Sequence, residues 1–236
     1  GTALLKKEFS FLWSSPTYML NCVLGSAFFI LLAVFSVIKR DVFTNMLDIY
    51  PGMENMLALM GVAVLCFIAT MNPITAPSIS LEGKTLWLLR SSPVSSLQVL
   101  NAKFYMHILL TAPFALIASL CLFFSMKADI FMTIAGTVFV LLFVVFYAAI
   151  GILLNLKFPK FDWTNHSVAV KQSMSVILSM LIGWAVMILL TILYIFTGKY
   201  MDVEIFMTIA EVISLVLAGG SVLLMRKQGV KMFEKL

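Results

Sequence analysis

Six stretches of this chain, each about twenty residues or slightly longer, carry a single acidic residue between them, and that constrains the fold more than anything else. They run over Thr17–Ile38, Met56–Leu81, Phe104–Met126, Ile130–Leu156, Met174–Thr197 and Ile205–Met225. A helix rises about 1.5 Å per residue, so about twenty apolar residues cross the hydrocarbon core of a bilayer. Composition points the same way. The chain is 62% hydrophobic and 11% charged, whereas a soluble domain carries about 25% charged residues. So few charges cannot cover a surface that faces water. The pattern predicts an all-α integral membrane protein, one transmembrane domain over residues 1–236 with six transmembrane helices. Pro73 and Pro77 fall near the end of the second stretch and are expected to kink or unwind it.

Orientation follows from the lysines and arginines of the connecting segments. Lys6 and Lys7, then Lys84, Arg90 and Lys103, then Lys157, Lys160 and Lys171, then Arg226, Lys227, Lys231 and Lys235 fall on one side. Only Lys39, Arg40, Lys127 and Lys199 fall on the other. This bias predicts a protein of the plasma (cytoplasmic) membrane with both termini in the cytoplasm. The net charge of +5 is then topological, and no nucleic-acid partner is expected.

The longer, more aromatic connections lie on the cation-rich side, where a protein partner would dock. Residues 1–14 are expected to form an interfacial helix, with Leu5, Phe9, Leu12 and Trp13 on one face and a break at Ser14-Ser15-Pro16. After the second stretch, Lys84 to Arg90 reads as a short helix stopped by Ser91-Ser92-Pro93. Ser95 with Gln98 then forms a capping-box pattern that starts the next helix. The loop is thus a helix, a hinge and a helix start. The fourth loop, Lys157 to Gln172, carries Phe158, Pro159, Phe161, Asp162, Trp163 and His166 and is expected to be ordered. Trp163 reads equally as an interfacial anchor.

Chemistry-bearing residues are scarce. Cys22, Cys66 and Cys121 lie far apart in apolar runs without histidine neighbours, so neither a disulfide nor a metal site is expected. No cofactor and no catalytic residues are expected. An intramembrane enzyme would need histidine pairs or an acidic cluster, and only two histidines exist. Glu211 sits within the sixth stretch. A charge there costs about 2.5–3.5 kcal/mol on insertion scales, so it is expected to face protein or a watery cavity, or to snorkel. His107, Asn72, Asn101 and Asn155 are expected to satisfy local polar groups near the ends of spans.

Glu82-Gly83-Lys84, then Leu86-Trp87 and Ser91-Ser92-Pro93-Val94, resemble the permease subunits of bacterial ABC-2 type transporters. Phe158-Pro159-Lys160-Phe161-Asp162-Trp163-Thr164-Asn165 and Lys171-Gln172 resemble segments of the same group. The resemblance implies a transmembrane permease subunit of an ATP-driven exporter, here the C-terminal six-span portion of a longer permease. It implies a separate ABC ATPase subunit and a second permease half, or a homodimer, as partners within the lipid bilayer. Glu82, Gly83, Lys84, Leu86, Trp87, Leu89 and Arg90 would form the cytoplasmic coupling helix between spans two and three. Leu86, Trp87 and Leu89 would fill a groove on the ATPase, with Phe161, Asp162 and Trp163 as a second contact and Glu211 at a cavity. The pattern GxxxxGK[ST] is not found, so the chain itself is expected not to be an enzyme. The alternative is a secondary transporter or channel-like protein not driven by ATP.

Overall fold

The computed structural model describes residues 2–49, 52–163, 165, 170 and 173–236, with the side chains of Lys84 and Arg90 left outside the description. Among the described residues the chain is helical and contains no strand. Helix α1 covers Thr2–Ser14, α2 Pro16–Cys22, α3 Leu24–Ile38, α4 Arg40–Ile49 and α5 Glu54–Thr70. A 3-10 turn over Ser80–Thr85 leads into α6, Leu86–Ser91. Then follow α7 Ser96–Ser125, α8 Ile130–Lys157, α9 Met174–Thr197 and α10 Val203–Leu224. A π-turn over Met225–Gly229 continues α10 into α11, Val230–Lys235.

Among the described residues, four helices are long and apolar enough to cross a membrane: α7, α8, α9, and α10 with its continuation. The count rises to five if α2 and α3, bent by 47° at Val23, make one span. The expected six spans are therefore met only in part. The second stretch is where the expectation fails, because α5 stops at Thr70 and residues 71–79 leave the helix before the 3-10 turn begins at Ser80. Hydropathy alone could not separate these two halves, since both are apolar. The prolines carried the signal: neither Pro73 nor Pro77 can donate a backbone bond.

Helix α8 is the centre of the bundle, packed on α5, α7, α9 and α10. Its Phe139, Val140, Phe143 and Val144 are buried against Leu65 and Cys66 of α5 and Leu122 and Phe123 of α7. The outer faces of α3, α9 and α10 stay apolar and exposed, for example Leu31, Leu189 and Val216. An aqueous solvent would not tolerate that surface; lipid would.

The break between α2 and α3 is compensated from outside the helix. The Ser26 amide donates to the Asn72 side chain at 3.1 Å, and Asn72 donates back to the Ser26 hydroxyl at 2.9 Å. Gly25 makes this approach possible, since a β-carbon there would lie 2.6 Å from the Ile68 carbonyl oxygen. Helix α4 has no counterpart among the expected elements. It buries only Leu47, and its apolar residues Val42, Phe43, Met46 and Leu47 recur at helical spacing, a signal that was present in the sequence.

The two ends of the bundle are chemically distinct. At one end α1, the 3-10 turn, Trp163 and α11 gather, and the Ser96 hydroxyl lies 3.3 Å from Glu234. The described terminal segments therefore share an end. At the other, Asn55 donates to Asp129 at 2.9 Å and to Glu204 at 3.2 Å, joining α5, the cap of α8 and the first turn of α10.

Candidate functional site

Residues 72–80 are buried yet not helical until Ser80. A backbone of that kind survives within a membrane protein only where protein groups satisfy it. Here they come from five directions. The Tyr18 hydroxyl donates to the Ile74 carbonyl at 2.8 Å, and the Ser175 hydroxyl donates to Ala76 at 2.7 Å. Lys103 donates to Ser78 at 3.1 Å, and the Trp163 indole donates to Ser80 at 2.7 Å. The Asn155 side-chain oxygen accepts from the amides of Ile79 and Ser80 at 2.7 and 3.0 Å. Its amide group donates to the hydroxyls of Ser80 and Ser175 at 2.7 and 3.1 Å. Asn155 therefore makes all four of the bonds its side chain can make.

Beside this segment lies a buried ion cluster. Lys103, on the first turns of α7, has no solvent exposure. Its ammonium donates to both Glu8 oxygens at 3.0 Å, to Glu82 at 2.7 Å and to the Ser78 carbonyl. Lys7 closes the cluster from α1, donating to the two Glu82 oxygens at 2.8 and 2.9 Å. Two cations thus face two carboxylates, so the charges cancel, with Lys103 and Glu8 sealed from water and Lys7 at the exposed rim. Burial pushes the Glu82 carboxyl up, but Lys103 and Lys7 beside it prevail and hold it below the ordinary carboxylate range. Sequence reasoning missed this cluster. Nothing local in the sequence singles out Glu8, and Lys103 enters only through the orientation bias.

The cluster also bears on how α1 sits. Its buried residues are Glu8 and Leu12, and α1 packs on α7. Trp13, expected on the same face as Leu12, is instead exposed. Leu5 and Phe9 are half-buried and pack with Leu12, so the expected face is formed except at Trp13, and Glu8 is buried beside it.

The loop residues singled out by sequence are brought together in part. Trp163 packs over Gly83, so that a β-carbon at Gly83 would lie 2.8 Å from its ring. Gly83 also has a φ of 51°, which disfavours any other residue. The two loops therefore form one structure. Phe161 packs against the cluster around Leu100 and Ile152, while Asp162 is exposed. Leu86 and Leu89 point inward, each 8% exposed, into that same cluster. They are not free to fill a groove on another protein. Trp87 and Leu88 are the exposed pair, at 64% and 49%. The expected helix start is formed: Ser95 accepts from the Gln98 amide at 3.3 Å, and the Ser95 amide donates to Gln98 at 3.1 Å. His166, Lys171 and Gln172 lie outside the described residues, as do Gly1 and Thr164.

Glu211 is half-buried on α10. A cavity of about 660 Å³ lies between α5, α8, α9 and α10, and α10 lines it through Phe206, Met207 and Ala210 without Glu211. Its wall is almost wholly apolar, with Lys199 at one end.

A family described as "Putative ATP-binding cassette" matches residues 1–229, and the chain belongs to that family. No curated protein and no solved structure matches the chain. The family match overturns the resemblance to ABC-2 type permease subunits, which rested on short loop motifs, whereas the match extends over nearly the whole chain. The reading as an exporter permease falls with it, as do the partner roles assigned on that basis. The expectation that the chain is not an enzyme is likewise overturned, because the family is described by a cassette that binds ATP. Membership of an ABC transporter system stands. Gly83-Lys84-Thr85 matches the last three residues of the phosphate-loop pattern, but Ser78 stands where its first glycine is required, so the pattern is incomplete. These residues fold as a 3-10 turn whose neighbours Ser80 and Glu82 are already engaged.

Proposed function

From that family membership, we propose that the chain is a membrane-seated helical component of an ATP-binding-cassette transporter system and that α6 is where another component of the system docks. The cation-rich end, with both described termini, faces the cytoplasm in this reading. The observation that carries it is the contrast within α6. Leu86 and Leu89 anchor the helix to the bundle, while Trp87 and Leu88 project outward. Exposed tryptophan next to leucine on a rigid base is the composition of an interface hot spot. The base is rigid because the ion cluster and Asn155 fix the segment leading into it. The test is co-purification with the other proteins of its transporter system. The native chain retains a partner, and the pair W87A and L88A releases it while remaining folded. Retention of the partner by the double variant contradicts the proposal.

The family's description favours a second reading, in which this chain binds ATP itself. Titration of a fluorescent ATP analogue with magnesium onto the purified chain separates the two. Saturable binding lost on Lys84→Ala supports the second reading; an unchanged signal at every concentration removes it.

A further inference from the structure

At the end of the bundle away from the ion cluster, a second pocket of about 360 Å³ lies between the start of α4 and the turn joining α7 to α8. Arg40 and Lys127 both line it, and the rest of its wall includes Phe124, Ala128, Ile130 and Ile134. The Arg40 guanidinium carbon sits 4.6 Å from the centre of the Phe124 ring. That stacking fixes the guanidinium while leaving its N–H edges available. Among the described residues, neither Arg40 nor Lys127 forms an ion pair. Asp129, close in sequence to Lys127, is committed to the Met132 amide at 2.6 Å and to Asn55. Asp41 adjoins Arg40 in the chain without pairing to it.

Below the two cations the wall is apolar and open. Phe124 is 64% exposed, Ile134 60% and Ile130 80%. Both cations stand where long apolar helices end, α3 at Ile38 and α7 at Ser125. In a bilayer that is the level of the headgroups, where cations meet phosphate oxygens through charge-assisted hydrogen bonds. A soluble anion would engage the cations but leave the apolar wall uncovered.

We propose that Arg40 and Lys127 hold the phosphate headgroup of an anionic phospholipid whose acyl chains lie along Phe124, Ile130 and Ile134. The proposal rests on the membrane-seated part of the function proposed above. Arginine gives the phosphate a bidentate, oriented contact, and lysine adds a point charge.

The experiment is native mass spectrometry of the purified chain after equilibration with equal amounts of phosphatidylglycerol and phosphatidylcholine. The native chain retains phosphatidylglycerol preferentially, and the preference weakens as salt is raised. Arg40→Gln with Lys127→Gln lowers retention of the anionic lipid by about fivefold for each cation removed. Lys231→Gln with Lys235→Gln, at the opposite end, lowers it less, because those exposed lysines act only as surface charges. If the native chain binds lipid without preference, or if its preference ignores salt, the site is wrong and the membrane reading stands. If the chain purifies from the aqueous fraction with no lipid, the membrane reading fails and the site fails with it. Should the double variant not fold, the single variants Arg40→Gln and Lys127→Gln decide, each expected to lose about fivefold, with unchanged retention in both overturning the site.

Discussion

Lys103 donates to both carboxylate oxygens of Glu8 at 3.0 Å across 95 residues of sequence, and the two side chains are all but sealed from solvent. Each charge is tolerable only because the other is there. Removing one partner of such a pair costs about 3–5 kcal/mol, because the remaining charge is left buried. Lys103→Met is therefore expected to lower the stability of the detergent-solubilised protein by about 3 kcal/mol or more. It should also free α1. Thermal unfolding, with limited proteolysis near residue 14 as the second readout, checks both effects.

The cluster sets an acid limit on stability. Glu82 is held below its ordinary carboxylate value of 4.5 by Lys103 and Lys7, acting against the burial that raises it. In the unfolded chain it takes up a proton earlier as pH falls, so protonation favours unfolding. Its contribution is complete above the ordinary value and is lost as pH drops through the lower, folded one. The unfolding midpoint should therefore fall with decreasing pH below about 4.5. Glu82→Gln should flatten that part of the curve.

Asn155 bonds the non-helical segment directly, and Gly83 makes room for Trp163, which bonds it at Ser80. Asn155→Ala leaves the Ile79 and Ser80 amides without their acceptor, which costs about 1–3 kcal/mol for each group left unsatisfied. Gly83→Ala combines a positive φ with a collision against the Trp163 ring, and a loss of about 1–3 kcal/mol is expected. Denaturant or thermal titration of each variant measures these losses. Measured in a Trp163→Ala background, Gly83→Ala should cost less than in the native chain, since the collision is gone and only the positive φ remains.

The four leucine and tryptophan positions of α6 should separate cleanly. Leu86→Ala with Leu89→Ala removes buried side chains and is expected to cost about 2–5 kcal/mol for each site. Trp87→Ala with Leu88→Ala touches exposed positions and should shift stability by about 0.5 kcal/mol or less. Unfolding midpoints of the two pairs, compared side by side, give the answer.

How much of this could be read from sequence depends on the range of the interaction. The Ser95–Gln98 capping box spans three residues and was legible, as was the apolar character of α7, α8, α9 and α10. The end of α5 at Thr70 was signalled by Pro73 and Pro77, but an unbroken hydropathy run hid it. Glu8 and Lys103 were seen only as separate charges, because nothing local links residues 95 positions apart. The inward turn of Leu86 and Leu89 was likewise invisible, since a six-residue helix has too few apolar positions to define a face before its neighbours are known. The family assignment went astray for a related reason: a loop motif of a few residues carries less information than a match over residues 1–229.

The most direct test of the docking claim is site-specific photocrosslinking. A photoreactive amino acid is placed at position 87, and in parallel at position 189 on the exposed face of α9. The products are identified by mass spectrometry in membranes containing the whole transporter system. Position 87 should crosslink to a protein component of that system, and position 189 to lipid. If position 87 yields only lipid adducts, or the same products as position 189, α6 is not a docking element.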